Sequence, residues 1–271
     1  MKKTTYMMLG AIVAGLIAIP GAIGLVMRSH VVDVIDYSLG GETRCVKLPG
    51  IVHKVTYDDS DAWRIDNFKG IAVAESDTAR TATLVTTEGW MPYLKCETDS
   101  GMLTVKVDYD AITREYCGEN GVKWMTRLRS EDFVAARVIM PRGWLQEVYA
   151  GNKTLYLDSV KAKEILSKVD DRLVLTNSHL GVLNSRAKKI NELKLDNSTI
   201  GEAIFRAVDE TFMVKCTSDS SVIDKLYIDS VYHDKNRLKL KFKDANIRDF
   251  KFNPDNKTTV VNMEFKSASS M

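Results

Sequence analysis

Four cysteines and four histidines have the widest chemical repertoire in this sequence, and their spacing decides which chemistry is open to it. Cys45, Cys96, Cys117 and Cys216 include no CxxC pair, and no histidine stands at metal-ligand spacing from any of them. Zinc is not expected on that pattern, which leaves either disulfides or reduced thiols packed as small apolar groups. Should a bridge form, Cys96 with Cys117 is the expected pair, because both flank neighbouring predicted strands. His30, His53, His179 and His233 are isolated from one another, and His179 and His233 read as exposed turn residues. No GxSxG elbow, HExxH pair, GxGxxG turn or Walker-type loop occurs. Neither a metal nor a cofactor is expected, and the chain is read as non-enzymatic.

Carboxylates need a separate weighing. Asp158, Asp196 and Asp229 recur at corresponding positions of short repeats. Two alternative readings stand beside a binding protein: a periplasmic accessory or sensing domain of a membrane complex, and a carbohydrate-active β-helix enzyme. The enzyme would need acids converging at one place for proton or glycosyl transfer. Recurrence along a stack reads instead as a structural corner. Tyr156, Lys194, Lys215, Tyr227, Lys239 and Lys241, followed by Lys251, fall at positions that alternation turns away from the core. Such a ladder suits an acidic polysaccharide or an envelope protein partner, held by charge and ring stacking. The competing reading is that these lysines only keep the strands soluble and blunt their edges. Trp90 and Trp144 adjoin turns, where they would either stack on sugars or pack into a cap.

Short strands must carry these residues. FKGIAV (68–73), ATLVTT (82–87) and LTVKVDY (103–109) suit strands, the last alternating apolar and polar residues. Pro49-Gly50, Glu88-Gly89, Asp99-Ser100-Gly101 and Asn120-Gly121 supply turns. Helical signals are few, the best lying around 159–168. From about residue 145 the chain repeats itself: LYLDSV (155–160), LVLTNSHL (173–180), LKLDNSTI (193–200) and LYIDSVY (226–232) share one pattern. Leu155, Leu173 and Leu193 lie 18 and 20 residues apart, and Phe212 follows 19 later. A repeat of about 19 residues predicts an all-β parallel β-helix or solenoid, because stacking buries an apolar row that one repeat cannot bury alone. Leu173, Leu193 and Phe212 would form one row, with Leu175, Leu195 and Val214 in the next. Asn177 and Asn197 fall at the same bend, where asparagine tolerates left-handed backbone. Leu226, Leu238 and Phe250 are 12 apart, which predicts a C-terminal cap of antiparallel hairpins through HDKN (233–236) and NPDN (253–256).

The N-terminus sets the expected address. An uncharged apolar run passes from Met7 through Ile12, Leu16, Pro20 and Leu25 to Met27, behind Lys2 and Lys3. One hydrophobic helix here would be a signal anchor in the inner membrane facing the periplasm. A signal peptide cleaved near Ala22-Ile23-Gly24 would release the body to the periplasm or cell surface. Export holds in both cases. Expected divisions are 1–30 for this segment, 31–63 for a linker with leading strands, 64–265 for the β domain and 266–271 for a disordered tail. A net charge of +2, from 38 basic and 36 acidic residues spread in mixed groups, argues against a nucleic-acid partner.

The order of DNFKGIAV (66–73), YLKCETDSGMLTVKVDY (93–109), RVIMPRGWLQEVYAGNKTLYLDS (137–159) and the later LKLDNSTI units resembles the auto-transporter adhesin head family (GIN domain) of Bacteroidetes-type bacteria. The resemblance spans roughly residues 64–262 and rests on order and spacing together. It implies a right-handed β-helix-like fold and an envelope location, and it brings no catalytic residues. This sequence departs from the family's Gly- and Asn-rich corners at 159–170, where a long charged stretch suggests an insertion in one repeat.

Overall fold

Alternation builds the strands. In MLTVKV, Leu103, Val105 and Val107 are buried while the residues between them are partly exposed. The same rule runs through the chain in the computed structural model. The structure describes residues 34–58, 65–66, 70–117, 127–130, 134–151, 153–186, 190–207, 211–230, 237–243, 246–254 and 260–266. The apolar run from Met7 to Met27 and the last five residues lie outside the described residues. Among the described residues, no helix is long and apolar enough to cross a membrane.

The leading strands are β1 (Val34–Tyr37), β2 (Thr43–Lys47), β3 (Lys54–Asp58), β4 (Ile65–Asp66), β5 (Ile71–Ser76) and β6 (Thr83–Thr87). A hairpin of β7 (Leu94–Asp99) and β8 (Met102–Val107) leads into helix α1 (Tyr109–Cys117). Then come β9 (Arg127–Ser130), β10 (Ala136–Pro141), β11 (Glu147–Ala150), β12 (Leu155–Asp158), β13 (Lys161–Val169) and β14 (Arg172–Thr176). The series continues with β15 (His179–Ser185), β16 (Ile190–Asp196), β17 (Thr199–Ala207) and β18 (Thr211–Asp219). It closes with β19 (Val222–Ser230), β20 (Arg237–Lys243), β21 (Ile247–Pro254) and β22 (Val260–Lys266).

The architecture is all-β: among the described residues there are two large mixed sheets, a small sheet of β1, β9 and β4, and one short α-helix. From β12 onward, successive strands alternate between the large sheets, and each pairs in parallel with the strand two places later. The ten-stranded sheet runs β2-β6-β10-β5-β12-β14-β16-β18-β20-β22, and the nine-stranded sheet runs β21-β19-β17-β15-β13-β11-β3-β8-β7. Between them lie the buried leucines 155, 157, 173, 175, 193 and 195 from one sheet and Ile165, Leu183, Ala203 and Leu226 from the other. Each fully buried leucine contributes about 1.5–3 kcal/mol relative to leaving it exposed.

A serine at each bend lets the chain turn from one sheet to the other. Ser159, Asn177, Asn197 and Ser220 take φ of 57°, 50°, 46° and 48°. The buried serines 178, 198 and 221 follow the last three of these. Val160 N–H donates to Ser178 Oγ at 3.0 Å, Ser178 N–H to Ser198 Oγ at 3.0 Å, and Ser198 N–H to Ser221 Oγ at 2.8 Å. In return the Ser178 and Ser198 hydroxyls donate to the carbonyls of Thr176 and Asp196, at 2.9 and 2.8 Å. Buried main-chain donors are thus satisfied at a bend where no strand can satisfy them. In the nine-stranded sheet a second column brings backbones together at Gly181 and Gly201. A Cβ on Gly181 would meet the Lys163 carbonyl oxygen at 2.5 Å, and one on Gly201 would meet that of Gly181 at 2.8 Å.

Several expectations are corrected. The corner partners lie 18, then 20, then 23 residues apart, so the repeat lengthens as it proceeds. Leu193 is therefore in register with Cys216, and Phe212 pairs with Leu238 instead of joining the row of Leu173 and Leu193. The C-terminal strands are not hairpins: β19 with β21 and β20 with β22 are parallel. Their 12-residue spacing is the step from one sheet to the other, half a repeat. Antiparallel pairing sits at the opposite end, in β2 with β6, β6 with β10 and β7 with β8. The charged stretch 159–170 is not an insertion, since residues 161–169 form β13 in regular register with β15. The one described α-helix falls at Tyr109–Cys117, where Asp108 caps it by accepting the Ala111 N–H at 3.0 Å.

Candidate functional site

Alternation turns Tyr156 outward between the inward Leu155 and Leu157, and the register then fixes its neighbours. Across the ten-stranded sheet one outward row reads Arg137, Ala72, Tyr156, Val174 and Lys194, and the backbone register continues it to Thr217, Lys243 and Lys266. Ala72 and Val174 belong to this outer face, yet they are only 2% and 7% exposed. Tyr156 itself is half-buried, with Arg137 and Lys194 two strands away on either side. Burial raises the Tyr156 pKa, an effect that the nearby Arg172 charge opposes. Arg137 is fixed by Asp158, with Nη1 to Oδ2 at 2.6 Å. Arg172 and Glu192 lead the next outward row, in backbone register with Lys215, Lys241 and Glu264. Within it Arg172 Nε donates to Glu192 Oε2 at 2.8 Å.

A second feature links the two large sheets. Glu75, the third inward residue of β5 after Ile71 and Val73, is only 4% exposed. Its Oε1 accepts the Gly143 N–H at 2.9 Å and its Oε2 accepts the Lys161 N–H at 2.8 Å. A buried carboxylate is tolerable only with such partners. Here it ties the loop after β10 to the start of β13. Between these two walls runs an open groove of about 440 Å³, lined by residues including Gly143, Gln146, Lys161, Lys163 and Glu164.

The sequence matches no family model, and no curated protein matches it. Solved structures similar to it include a "putative adhesin" from Bacteroides fragilis at 9% identity, covering 85% of this chain and 100% of that one with a TM-score of 0.46. A "putative adhesin" from Parabacteroides merdae is 12% identical, covering 87% and 96% with a TM-score of 0.38. A "putative lipid binding protein" from Parabacteroides distasonis is 14% identical, covering 88% and 98% with a TM-score of 0.39.

The expected ladder of lysines and tyrosines is divided. Tyr156, Lys194, Lys215, Lys239 and Lys241 share the ten-stranded sheet. Tyr227 is on the nine-stranded sheet, in register with Ile204 and Lys251, and Lys251 Nζ stands 5.5 Å from its ring centroid. The side chains of Lys215, Lys239 and Lys241 lie outside the described residues. The acids are divided as well. Asp158, Asp196 and Asp219 share one register position, whereas Asp229 sits across the core between Arg206 and Asn253. Cys96 carries a free thiol, and the side chain of Cys117, its candidate bridge partner, lies outside the described residues. Trp90 is buried in the core, and Trp144 packs against it. His179 is exposed, but as the first residue of β15 and not in a turn, while His53 makes a 3.1 Å contact from Nδ1 to the Trp144 carbonyl. His30, His233, Trp63, Trp124 and the segment from Met7 to Met27 lie outside the described residues. Among the described residues no group of three or more His, Cys, Asp or Glu could hold a metal. Sequence reading missed Glu75 and its groove. The available signal was an acid at an inward position of the otherwise apolar run IAVAES.

Proposed function

We propose that this chain is a non-enzymatic, adhesin-like binding protein of the cell envelope, exported by its N-terminal apolar segment. In this reading the two large sheets are the walls of a parallel β-solenoid of the adhesin-head kind. The outer face of the ten-stranded wall takes an acidic polysaccharide. The observation that supports this most is the register row placing Tyr156 between Arg137 and Lys194, each two strands away. At a strand spacing of about 4.8 Å, the two cations stand roughly 19 Å apart, with the aromatic shelf between them. A polymer lying across the strands would meet charge, ring and charge in turn. Asp158, two residues after Tyr156, is engaged by Arg137.

The test uses the full chain with polygalacturonate and heparin as acidic probes and dextran as the neutral control. Chain length is measured by size-exclusion chromatography before and after incubation. The reading expects saturable binding to an acidic probe, none to dextran, and no shortening of either. Shortening would instead favour a carbohydrate-active enzyme, and failure to bind either acidic polymer would remove the proposed ligand class.

A further inference from the structure

We propose a second binding site, independent of the polysaccharide face: the step in the nine-stranded sheet at Lys161–Ile165 takes an extended acidic peptide as an added strand. β13 is nine residues long, but β11 pairs with it only from Leu166 to Val169. Its first half pairs with β15 on one side alone. The edge from Lys161 to Ile165, roughly 13 Å, therefore has no paired strand on that side, where the Lys161 N–H is taken up by Glu75.

The loop from Arg142 to Gln146 runs along the far wall without pairing to this edge. Its last contact is the Leu166 N–H donating to the Gln146 carbonyl at 2.8 Å. Alternation from Leu166 turns the N–H and C=O of Glu164 toward the same open side. Opposite them the groove stays open, since a Cβ built on Gly143 would meet nothing within 4 Å. Glu75 holds both walls apart at a fixed width through Gly143 and Lys161. Unpaired edge groups beside a preformed groove are what strand addition uses.

Charge selects the occupant. Lys161 and Lys163 are exposed and enter no ion pair with a described residue, and Glu164 is the one carboxylate lining the groove. A segment with acids at alternate positions places them beside the two lysines and its apolar residues toward Leu145 and Leu166. An acidic glycan would satisfy the lysines but not the main-chain groups.

Fluorescence anisotropy of the full chain tests this with a labelled eight-residue peptide alternating valine and aspartate. Comparison probes are the same peptide N-methylated at alternate amides, a valine–lysine version and oligogalacturonate. The acidic peptide is expected to bind and to protect the Glu164 amide from hydrogen exchange. The methylated and lysine versions are expected to lose binding. The double variant Lys161→Glu/Lys163→Glu is expected to weaken it on the order of tenfold with an unchanged melting temperature. Three results would overturn the site: no peptide binding, equal binding of the methylated peptide, or displacement of the peptide by oligogalacturonate. The polysaccharide reading stands or falls separately, on the ten-stranded face.

Discussion

Asn197 donates its side-chain amide to the Asn177 Oδ1 at 2.7 Å, linking the exposed bends of two successive repeats. Both residues hold left-handed backbone, at φ of 46° and 50°. An L-residue other than Gly, Asn or Asp is penalised there by about 1–2 kcal/mol. The pair therefore does two jobs, one conformational and one by hydrogen bonding.

Substitutions separate those jobs. Asn197→Ala loses both and is expected to destabilise by about 1–2 kcal/mol in urea unfolding. Asn197→Gly keeps the backbone freedom and should cost less. Equal losses would mean that the left-handed bend contributes nothing measurable.

Beneath that pair, Ser198 accepts the Ser178 N–H and donates to the Asp196 carbonyl. Ser198→Ala strands a buried donor, and a loss of about 1–3 kcal/mol is expected. The same unfolding experiment reads it. A neutral result would show that the serine column does not hold the bend.

Asp108, at the start of helix α1, gives the fold a pH dependence. Its hydrogen bond from Lys95, at 2.9 Å, and that from the Ala111 N–H hold its carboxyl below the ordinary value of 3.8. A depressed acid stabilises the fold above its unfolded pKa, and that contribution is lost as pH falls through the folded value. Lys95→Met should therefore make the loss of stability below about pH 4 shallower than in the parent. An unchanged acid limb in denaturation curves at stepped pH would contradict this.

Burial pushes the Cys96 thiol up to about 11. At pH 8 roughly a thousandth of it is thiolate, so iodoacetamide should label it at least about tenfold more slowly than exposed Cys45. Peptide mass spectrometry distinguishes the two sites. Rapid labelling of Cys96, or a peptide linking Cys96 to Cys117, would be the contrary result.

How much of this could be read in advance depended on whether a feature was local. The alternation in LTVKV, the turn at Ser100-Gly101 and the asparagine bends are set by neighbouring residues, and they stand where the sequence placed them. Register is not local. Counting 19 residues from Leu193 reaches Phe212, but the 23-residue third repeat puts Cys216 beside Leu193 instead. That slip moved Tyr227 and Asp229 to the opposite sheet and turned a half-repeat into an expected hairpin. Nor could spacing reveal the partners of Glu75, 68 and 86 residues away along the chain. The misplaced acid in IAVAES was visible, but what it held was not.

The central claim is that the row around Tyr156 binds an acidic polymer without cleaving it. Calorimetric titration of polygalacturonate into the full chain, with Tyr156→Ala and Lys194→Glu as variants, tests it most directly. Saturable binding that weakens with added salt is expected, and each variant should lose affinity on the order of tenfold. Affinity unchanged in both variants, or a polymer shortened during the titration, would contradict the account.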